Sequence, residues 1–229
     1  MDKGNTALVL NPFLEGMKEA GAKVDLFYTR KLNINPCTGE FNCWLKTPGV
    51  CYHDDDMKMI IPKFVDADVI VIASPVYVFG ITGPMKNLFD RIIPIAHPFI
   101  ELRDGHSHHP SRGKHKTRKY VLVSNCGFWE KDNFDPLVSY METFCKNTAS
   151  EFAGALLRPH GEAMPGMLKM GAPISDVFEA AKEAGRQLVK EQKMSPDTLN
   201  VASRELLSRE MYMQNANQHF RQALETLKK

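Results

Sequence analysis

The sequence has no long apolar segment and almost no excess of charge of either sign. None of its apolar runs approaches the roughly 20 residues that a membrane-spanning helix needs, and its formal net charge is only +2. Its first residues also lack the apolar segment and the small-residue cleavage site of a secretory signal. These absences give no reason to expect a membrane or a nucleic acid as a partner.

Cysteines and catalytic motifs are scarce as well. Five cysteines in 229 residues are an odd number and too few for a disulfide framework, so we expect free thiols in a reducing cytoplasm. The chain contains no G-x-S-x-G elbow, Walker A loop, H-E-x-x-H, C-x-x-C or G-x-G-x-x-G motif. A bound cofactor is therefore the natural route to any catalytic activity.

What the sequence does contain is an alternation of apolar strands with amphipathic helices. Strands are predicted over residues 23–28, 68–73, 119–124 and 151–157. Helices are predicted over residues 3–21, 54–65, 133–147, 175–191 and 203–224, with one more that begins at Pro84. The runs DVIVIA and KYVLVS are continuous and rich in β-branched residues, as in strands buried on both faces of a parallel sheet. This order predicts an α/β protein of parallel βαβ units, which binds its ligand at the carboxyl ends of the strands.

The division of the chain and the ends of its first helix can also be predicted. We expect residues 1–195 to form the sheet domain. Residues 196–229 should form a helical extension that packs on the domain or on a sister subunit. Asn5 is expected to be the N-cap of the first helix, and Gly21 is expected to end it.

The loop after the second predicted strand carries the most specific signal. It reads SPVYVFGITGPMKNLFDR over residues 74–91 and resembles the SPVY…G…K…DR signature of the NADPH-dependent FMN reductase family and its iron–sulfur flavoprotein branch. A flat ring needs an apolar wall, which Tyr77 and Phe79 can supply. It also needs backbone donors and acceptors at its polar edge, which a strand-to-helix turn presents. Residues 36–57 and 210–217 resemble the same family, so the resemblance covers nearly the whole chain.

The resemblance implies a three-layer α/β/α, flavodoxin-like fold with an open parallel sheet. It implies FMN as the cofactor, NAD(P)H as the reductant, and a quinone, a flavin or another small molecule as the electron acceptor. The cofactor-binding residues that it implies are Asn5, Thr6, Ser74, Pro75, Val76, Tyr77, Phe79, Asn125, Cys126 and Gly127. No side chain is assigned as a catalytic acid or base, and a homodimer or homotetramer is implied.

The start of the chain departs from the family pattern. Members begin with a strand and a phosphate loop, whereas only Gly4, Asn5 and Thr6 of that loop are present here, without the usual first strand. We expect Met1 to be an internal methionine of a longer natural chain, the alternative being a true truncation. Because part of the phosphate loop is missing, we expect a reduced affinity for flavin. An electron carrier without turnover of its own and a flavin-free protein therefore stand beside the enzyme as hypotheses.

The second departure concerns metal binding. Cys37, Cys43 and Cys51 stand at three of the four places at which the iron–sulfur branch has cluster ligands, and Glu40 stands at the fourth. Each iron of a cubane cluster takes one thiolate, and a carboxylate is a harder and poorer ligand for that position. We therefore expect free thiols in this loop, and neither an iron–sulfur cluster nor another metal site.

Overall fold

A computed structural model describes residues 3–113 and 117–227, along which strands alternate with helices. The strands are β1 (Val69–Ala73), β2 (Glu101–Arg103), β3 (His106–His108), β4 (Lys119–Asn125) and β5 (Glu151–Arg158). The helices are α1 (Asn5–Glu19), α2 (Asn42–Leu45), α3 (Met57–Asp66), α4 (Gly83–Asp90), α5 (Asp135–Asn147), α6 (Ala163–Lys169), α7 (Ser175–Glu191), α8 (Pro196–Ser203) and α9 (Arg209–Thr226). The expectation that Met1 is an internal methionine concerns a residue that lies outside the described ones.

Strands β1, β4 and β5 form a parallel sheet with β4 in the centre. Successive side chains of a strand point to opposite faces, so β4 supplies both halves of the core. Val121 and Val123 pack with α1, α6 and α7, whereas Tyr120 and Leu122 pack with α3, α4 and α5. The predicted three-layer α/β/α arrangement with a parallel sheet is therefore confirmed.

Helices α1 and α7 cross at a very short distance on one face of the sheet. A Cβ atom on Gly16 would lie 1.8 Å from the carbonyl oxygen of Lys182, and one on Gly185 would lie 2.0 Å from that of Phe13. Glycine is therefore required at both positions, because any side chain would push the two backbones apart. The crossing fixes α1 against the sheet and brings its first turn to the carboxyl end of β4.

The ends of α1 test two of the predictions. The predicted N-cap is wrong, because Gly4 takes the extended backbone of an N-cap and Asn5 is already the first helical residue. The stop at Gly21 is confirmed. Its φ of +97° lies in the left-handed region, and the next residue, Ala22, donates its N–H to the carbonyl of Met17 at 3.0 Å.

The carboxyl-terminal region differs from its prediction as a single helix over residues 203–224. It forms two helices, of which α8 was not predicted. The Ser195 hydroxyl accepts the N–H of Thr198 at the start of α8, and the Ser208 hydroxyl accepts the N–H of Met211 at the start of α9. These two caps separate the helices. Helix α8 packs on α7 and β5, while the domain boundary at residue 195 stays a prediction.

The strand predicted over residues 23–28 is wrong, because this segment pairs with no strand among the described residues. It lies across a cleft of about 1650 Å³ from β1, and the cleft is lined by both segments and by one face of α1. Strand β1 is consequently at the edge of the sheet, and of its five residues only Ile72 is fully buried. Both faces of β4 are buried as predicted, and the side chains of β1 also pack on both faces, but most of them are only half-buried because one edge of that strand is open.

The antiparallel hairpin of β2 and β3, which was not predicted, stands apart from the main sheet. Within residues 3–113 and 117–227, no helix combines the length and the apolar character that crossing a bilayer would require.

Candidate functional site

The loop that follows β1 begins with a buried serine that fixes its course. The Ser74 hydroxyl donates to the carbonyl of Pro75 at 3.0 Å and accepts the N–H of Thr82 at 3.1 Å. The Ser124 hydroxyl of β4 in turn donates to the Ser74 carbonyl at 2.6 Å. Ser74 therefore supports the loop from beneath.

The tip of this loop is a tight turn with a strained backbone. Tyr77 and Gly80 exchange two backbone hydrogen bonds of 2.9 and 3.0 Å. Between them, Val78 and Phe79 have φ values of 48° and 60°, in the left-handed region that non-glycine residues avoid. Tyr77, Val78 and Phe79 are nevertheless 65%, 95% and 58% exposed. Strained backbone that holds apolar side chains in solvent points to a binding role at this turn.

Asn125 joins three segments at the carboxyl end of β4. It is buried, its carbonyl accepts the N–H of Val76 at 2.9 Å, and its side-chain oxygen accepts the hydroxyl of Thr6. A Cβ atom on Gly161 would come within 3.1 Å of the Asn125 side chain, so the glycine leaves room for it. The asparagine thus ties the β1 loop and the first turn of α1 to the central strand.

The amino terminus of α1 faces the same cleft. Lys3, Gly4, Asn5 and Thr6 all line it, and the N-cap Gly4 has no side chain with which to bond the first N–H groups of the helix. Such free N–H groups, together with the helix dipole, attract anions. The donors here are therefore suited to a phosphate group.

The structure brings together only some of the residues predicted for the site. Those that line the cleft are Asn5, Thr6, Pro75, Tyr77 and Asn125. Those outside its lining are Ser74, Val76, Phe79, Cys126 and Gly127. Cys126 is buried, its thiol donates to the carbonyl of Phe128 at 3.2 Å, and burial raises the pKa of that thiol. Its place is that of a packed side chain beneath the loop.

Sequence reasoning missed two residues at this edge of the sheet. Glu162, which follows β5 and precedes α6, lines the cleft, and Tyr212 of α9 donates its hydroxyl to the carbonyl of Gly127. Glu162 could have been found from its position just beyond the carboxyl end of a predicted strand. Tyr212 lies in residues 210–217, which resemble the family, but nothing in that stretch identifies its partner, which is distant in the chain.

The residues of the cleft fit FMN in their chemistry. The free N–H groups of the first turn of α1 suit a phosphate, the Thr6 hydroxyl holds Asn125 beside them, and Tyr77 offers an apolar face to a flat ring. The walls of the cleft are rich in apolar side chains from α1 and β1, as in most small-molecule sites.

The cysteine-bearing loop fits an iron–sulfur cluster poorly. Cys37 is exposed, Cys43 is buried and Cys51 is half-buried, and all three line one small pocket with Glu40. Burial first, and then the neighbouring Cys51, Glu40 and Cys37, raise the pKa of the Cys43 thiol. Although these side chains line one pocket, no three His, Cys, Asp or Glu side chains among the described residues are placed so that they could hold a metal ion together. Three thiols and a carboxylate differ from the four thiolates that a cubane cluster takes.

The fold and the cleft define an open-sheet α/β protein of the flavodoxin-like kind. An FMN-dependent NADH-azoreductase from Bacillus anthracis str. Ames Ancestor, solved in complex with FMN, has this fold, with a TM-score of 0.59 and 17% identity over 83% of this chain and 93% of that one. An NAD(P)H:quinone oxidoreductase from Methanothermobacter marburgensis is similar with a TM-score of 0.55 and 16% identity over 82% and 92% of the two chains. At these identities the likeness establishes the fold.

The chain belongs to the NADPH-dependent FMN reductase family, whose model matches residues 1–115. The resemblance noted in the sequence is thereby confirmed. An iron–sulfur flavoprotein of Archaeoglobus fulgidus is 33% identical over 94 residues, which are 41% of this chain and 42% of that protein. Another, from Methanocaldococcus jannaschii, is 37% identical over 86 residues, 38% and 43% of the two chains. The chain thus aligns with less than half the length of these relatives.

Proposed function

We propose that this protein is an FMN-dependent NAD(P)H oxidoreductase that passes electrons to a quinone, a flavin or another small acceptor. One observation carries the proposal: the amino terminus of α1, the exposed turn at Tyr77 and the buried Asn125 line the end of a single cleft that lies at the carboxyl ends of β1 and β4. An anion-binding helix end and an aromatic wall in one cleft are what a phosphorylated flat-ring cofactor needs.

The residues of the chain have the task of binding and orienting. The N–H groups of the first turn of α1 hold the phosphate end, and the hydrogen bond that Thr6 donates to Asn125 sets the position of that end relative to the sheet. Tyr77 covers the ring, and its strained turn keeps the aromatic side chain in place. Acceptance of a hydride from NAD(P)H and onward transfer of electrons are what FMN supplies when bound.

Titration of the purified protein with FMN, followed by the quenching of flavin fluorescence, tests the first step. Thr6→Val removes the hydroxyl while keeping the shape of the side chain, and we expect it to weaken FMN binding about tenfold. Thr143→Val is the matched control, because Thr143 is an exposed residue of α5 that does not line the cleft. Equal affinities in both variants and the wild type would contradict the assignment of Thr6.

Addition of NADH or NADPH to the FMN-loaded protein under argon tests the second step. We expect the flavin absorbance to bleach with one of the two nucleotides and to return when a small quinone or free flavin is added. Bleaching by dithionite alone would favour the electron carrier. A protein that takes up no FMN would favour the flavin-free alternative.

We also propose a homodimer or homotetramer. Helix α9 supports this, since its residues Met213, Phe220 and Leu224 are all more than half exposed. Sedimentation velocity of the full chain and of Phe220→Glu is the test. We expect the variant to dissociate, and a wild-type monomer would rule the assembly out.

A further inference from the structure

A small pocket apart from the cleft gathers the three cysteines of the cysteine-bearing loop. Its volume is about 10 Å³, which is close to the space that one water-sized group needs. Cys37, Cys43 and Cys51 line it together with His53 and Arg91, and none of these residues lines the cleft. The pocket therefore surrounds room for a single heavy atom with thiol groups.

Two buried nitrogen atoms of the residues that line this pocket have no hydrogen-bond partner among the residues that the structure describes. They are Nε of Arg91 and Nε2 of His53. The other two nitrogens of the Arg91 guanidinium donate to Asp55 and to the carbonyl of Asn35, and the side chain is only 1% exposed. Orphaned buried groups are rare in folded proteins because they are costly. At a pocket of this size, these two nitrogens suit an added oxygen atom.

Cys43 and Cys51 lie close together across a short turn. The carbonyl of Cys43 accepts the N–H of Gly49 at 2.8 Å, and the carbonyl of Thr47 accepts the N–H of Val50 at 2.8 Å. After burial, Cys51 is the largest of the influences that raise the pKa of the Cys43 thiol, and such an effect acts over short distances. The backbone thus already forms the ring that a bond between the two sulfur atoms would close.

The two thiols differ in how a small oxidant can reach them. Cys43 is only 5% exposed, whereas Cys51 is half-buried. Cys51 also lies beside a cation: burial acts to lower the pKa of Arg91, but Asp55 and then Cys51 outweigh burial and raise that pKa. A neighbouring cation favours the nucleophilic form of a thiol. Cys51 is therefore the thiol that reacts first, and Cys43 is the one that follows.

We propose that Cys51 is a site of reversible oxidation by hydrogen peroxide, with Cys43 as the resolving thiol. The Cys51 sulfur first attacks one oxygen of the peroxide, the O–O bond breaks, and a sulfenic acid and one water molecule form. The Cys43 sulfur then displaces the added oxygen as a second water molecule, and a disulfide joins the two residues. The two sulfurs together lose two electrons, which the peroxide takes up.

The pocket has a part in the first step. The oxygen that Cys51 gains occupies it, and Nε of Arg91 donates to that oxygen. The imidazole of His53 also donates, in the tautomer that carries its proton on Nε2. The inference goes beyond the proposed function and does not depend on it, since the chemistry needs no flavin.

Oxidation of the full chain by hydrogen peroxide without flavin is the first test. We expect two of the five thiols to be lost to DTNB titration, the intact mass to fall by about 2 Da, and dithiothreitol to restore both thiols. Peptide mapping should join Cys43 to Cys51. The mapping uses the wild type, so it does not depend on whether a variant folds.

The second test traps the sulfenic acid in Cys43→Ala, which lacks the resolving thiol. Dimedone, a reagent for sulfenic acids, should label Cys51 in this variant. Adding His53→Phe should lower that labelling about tenfold, because the oxygen loses one donor. Cys145→Ala is the matched control, since Cys145 is buried on α5 outside the pocket, and it should form the disulfide as the wild type does.

Several results would overturn the inference. Five intact thiols and an unchanged mass, at peroxide concentrations that oxidise free cysteine, would leave the pocket to an ordinary water molecule. A disulfide between other cysteines, or dimedone divided equally between Cys37 and Cys51, would show that the pocket does not direct the reaction. Equal labelling with and without His53→Phe would show that the pocket does not hold the added oxygen.

Discussion

Arg91 holds Asp55 through two hydrogen bonds inside the protein. Its Nη1 donates to Oδ2 at 2.7 Å and its Nη2 donates to Oδ1 at 3.1 Å, and both side chains are at most 1% exposed. Arg91 also donates to the carbonyl of Asn35 at 2.6 Å, and Asp55 accepts the N–H of Met57 at 3.1 Å. The pair therefore ties the cysteine-bearing loop to the end of α4 and the start of α3.

Arg91→Met should destabilise the protein strongly. The variant leaves the Asp55 carboxylate buried without a counter-charge, which costs about 3–5 kcal/mol in comparable pairs. Urea unfolding followed by circular dichroism measures the loss. Lys86→Met is the control, because Lys86 pairs with Asp90 on the surface of the same helix and such pairs contribute little. Similar small losses in both variants would contradict the importance given to the buried pair.

His160 should make the fold sensitive to mild acid. Its ring is fully buried, and burial, aided by the charge of Arg158, lowers the pKa of the imidazole from 6.5 to about 4. Between these two values the unfolded chain binds a proton that the folded protein does not. The free energy of unfolding therefore falls as the pH falls through this window, by about 3 kcal/mol in all. Urea unfolding at a series of pH values measures the slope.

The matched variant for this slope is His160→Gln. The imidazole Nε2 accepts the N–H of Leu206 at 2.9 Å, and glutamine offers an oxygen for that bond but cannot titrate. The variant should lack the loss between pH 6.5 and 4. The variant should keep a separate loss of stability at lower pH, which comes from Asp55. Burial acts to raise the pKa of the Asp55 carboxyl, but hydrogen bonds from Arg91 outweigh burial and hold that pKa well below 3.8. An unchanged slope above pH 4 would show that other groups are responsible.

Gly16→Ala should damage the crossing of α1 and α7. The added methyl group would meet the backbone of Lys182, so the helices must separate, at a cost of about 3 kcal/mol or more. Gly166→Ala is the control, because a Cβ atom on Gly166 in α6 would meet nothing within 4 Å. There alanine should stabilise the helix, by up to about 1 kcal/mol. Thermal unfolding of the two variants gives the comparison, and equal shifts would disprove the tight crossing.

The turn after β1 allows strain and binding to be separated. Val78→Gly and Phe79→Gly should each relieve a positive φ and add about 1 kcal/mol of stability. We expect Val78→Gly to keep the FMN affinity of the wild type, since that side chain is 95% exposed. Phe79→Gly removes an aromatic group beside the cleft and should weaken binding about tenfold. Equal affinities in the two variants would show that Phe79 does not touch the ring.

Much of the fold could be predicted because it depends on local patterns. The apolar runs of β1 and β4 and the amphipathic pattern of α7 identify those elements within a residue or two. Residues 23–28 could not be predicted correctly, because a strand exists only when it has a partner, and its alternation carries no information about the partner. Helix α8 is short, and its only start signal is Ser195 followed by Pro196.

The candidate site shows the same division. Tyr77, Asn125 and Thr6 follow from their places after strands or at the start of a helix, and the structure gathers them at one cleft edge. Tyr212 and His160 act on Gly127 and Phe128 from distant parts of the chain, and only tertiary packing brings them there. Contacts of that kind leave no trace in local sequence.

The outer side of β1 has a practical consequence for work with the protein at high concentration. Among the described residues, Val69–Ala73 pair with β4 only, so the backbone groups on their other side can template an incoming extended chain. Two molecules whose β1 edges pair in this way would nucleate β-rich aggregates. Turbidity in concentrated solution would then depend on five residues at the rim of the sheet.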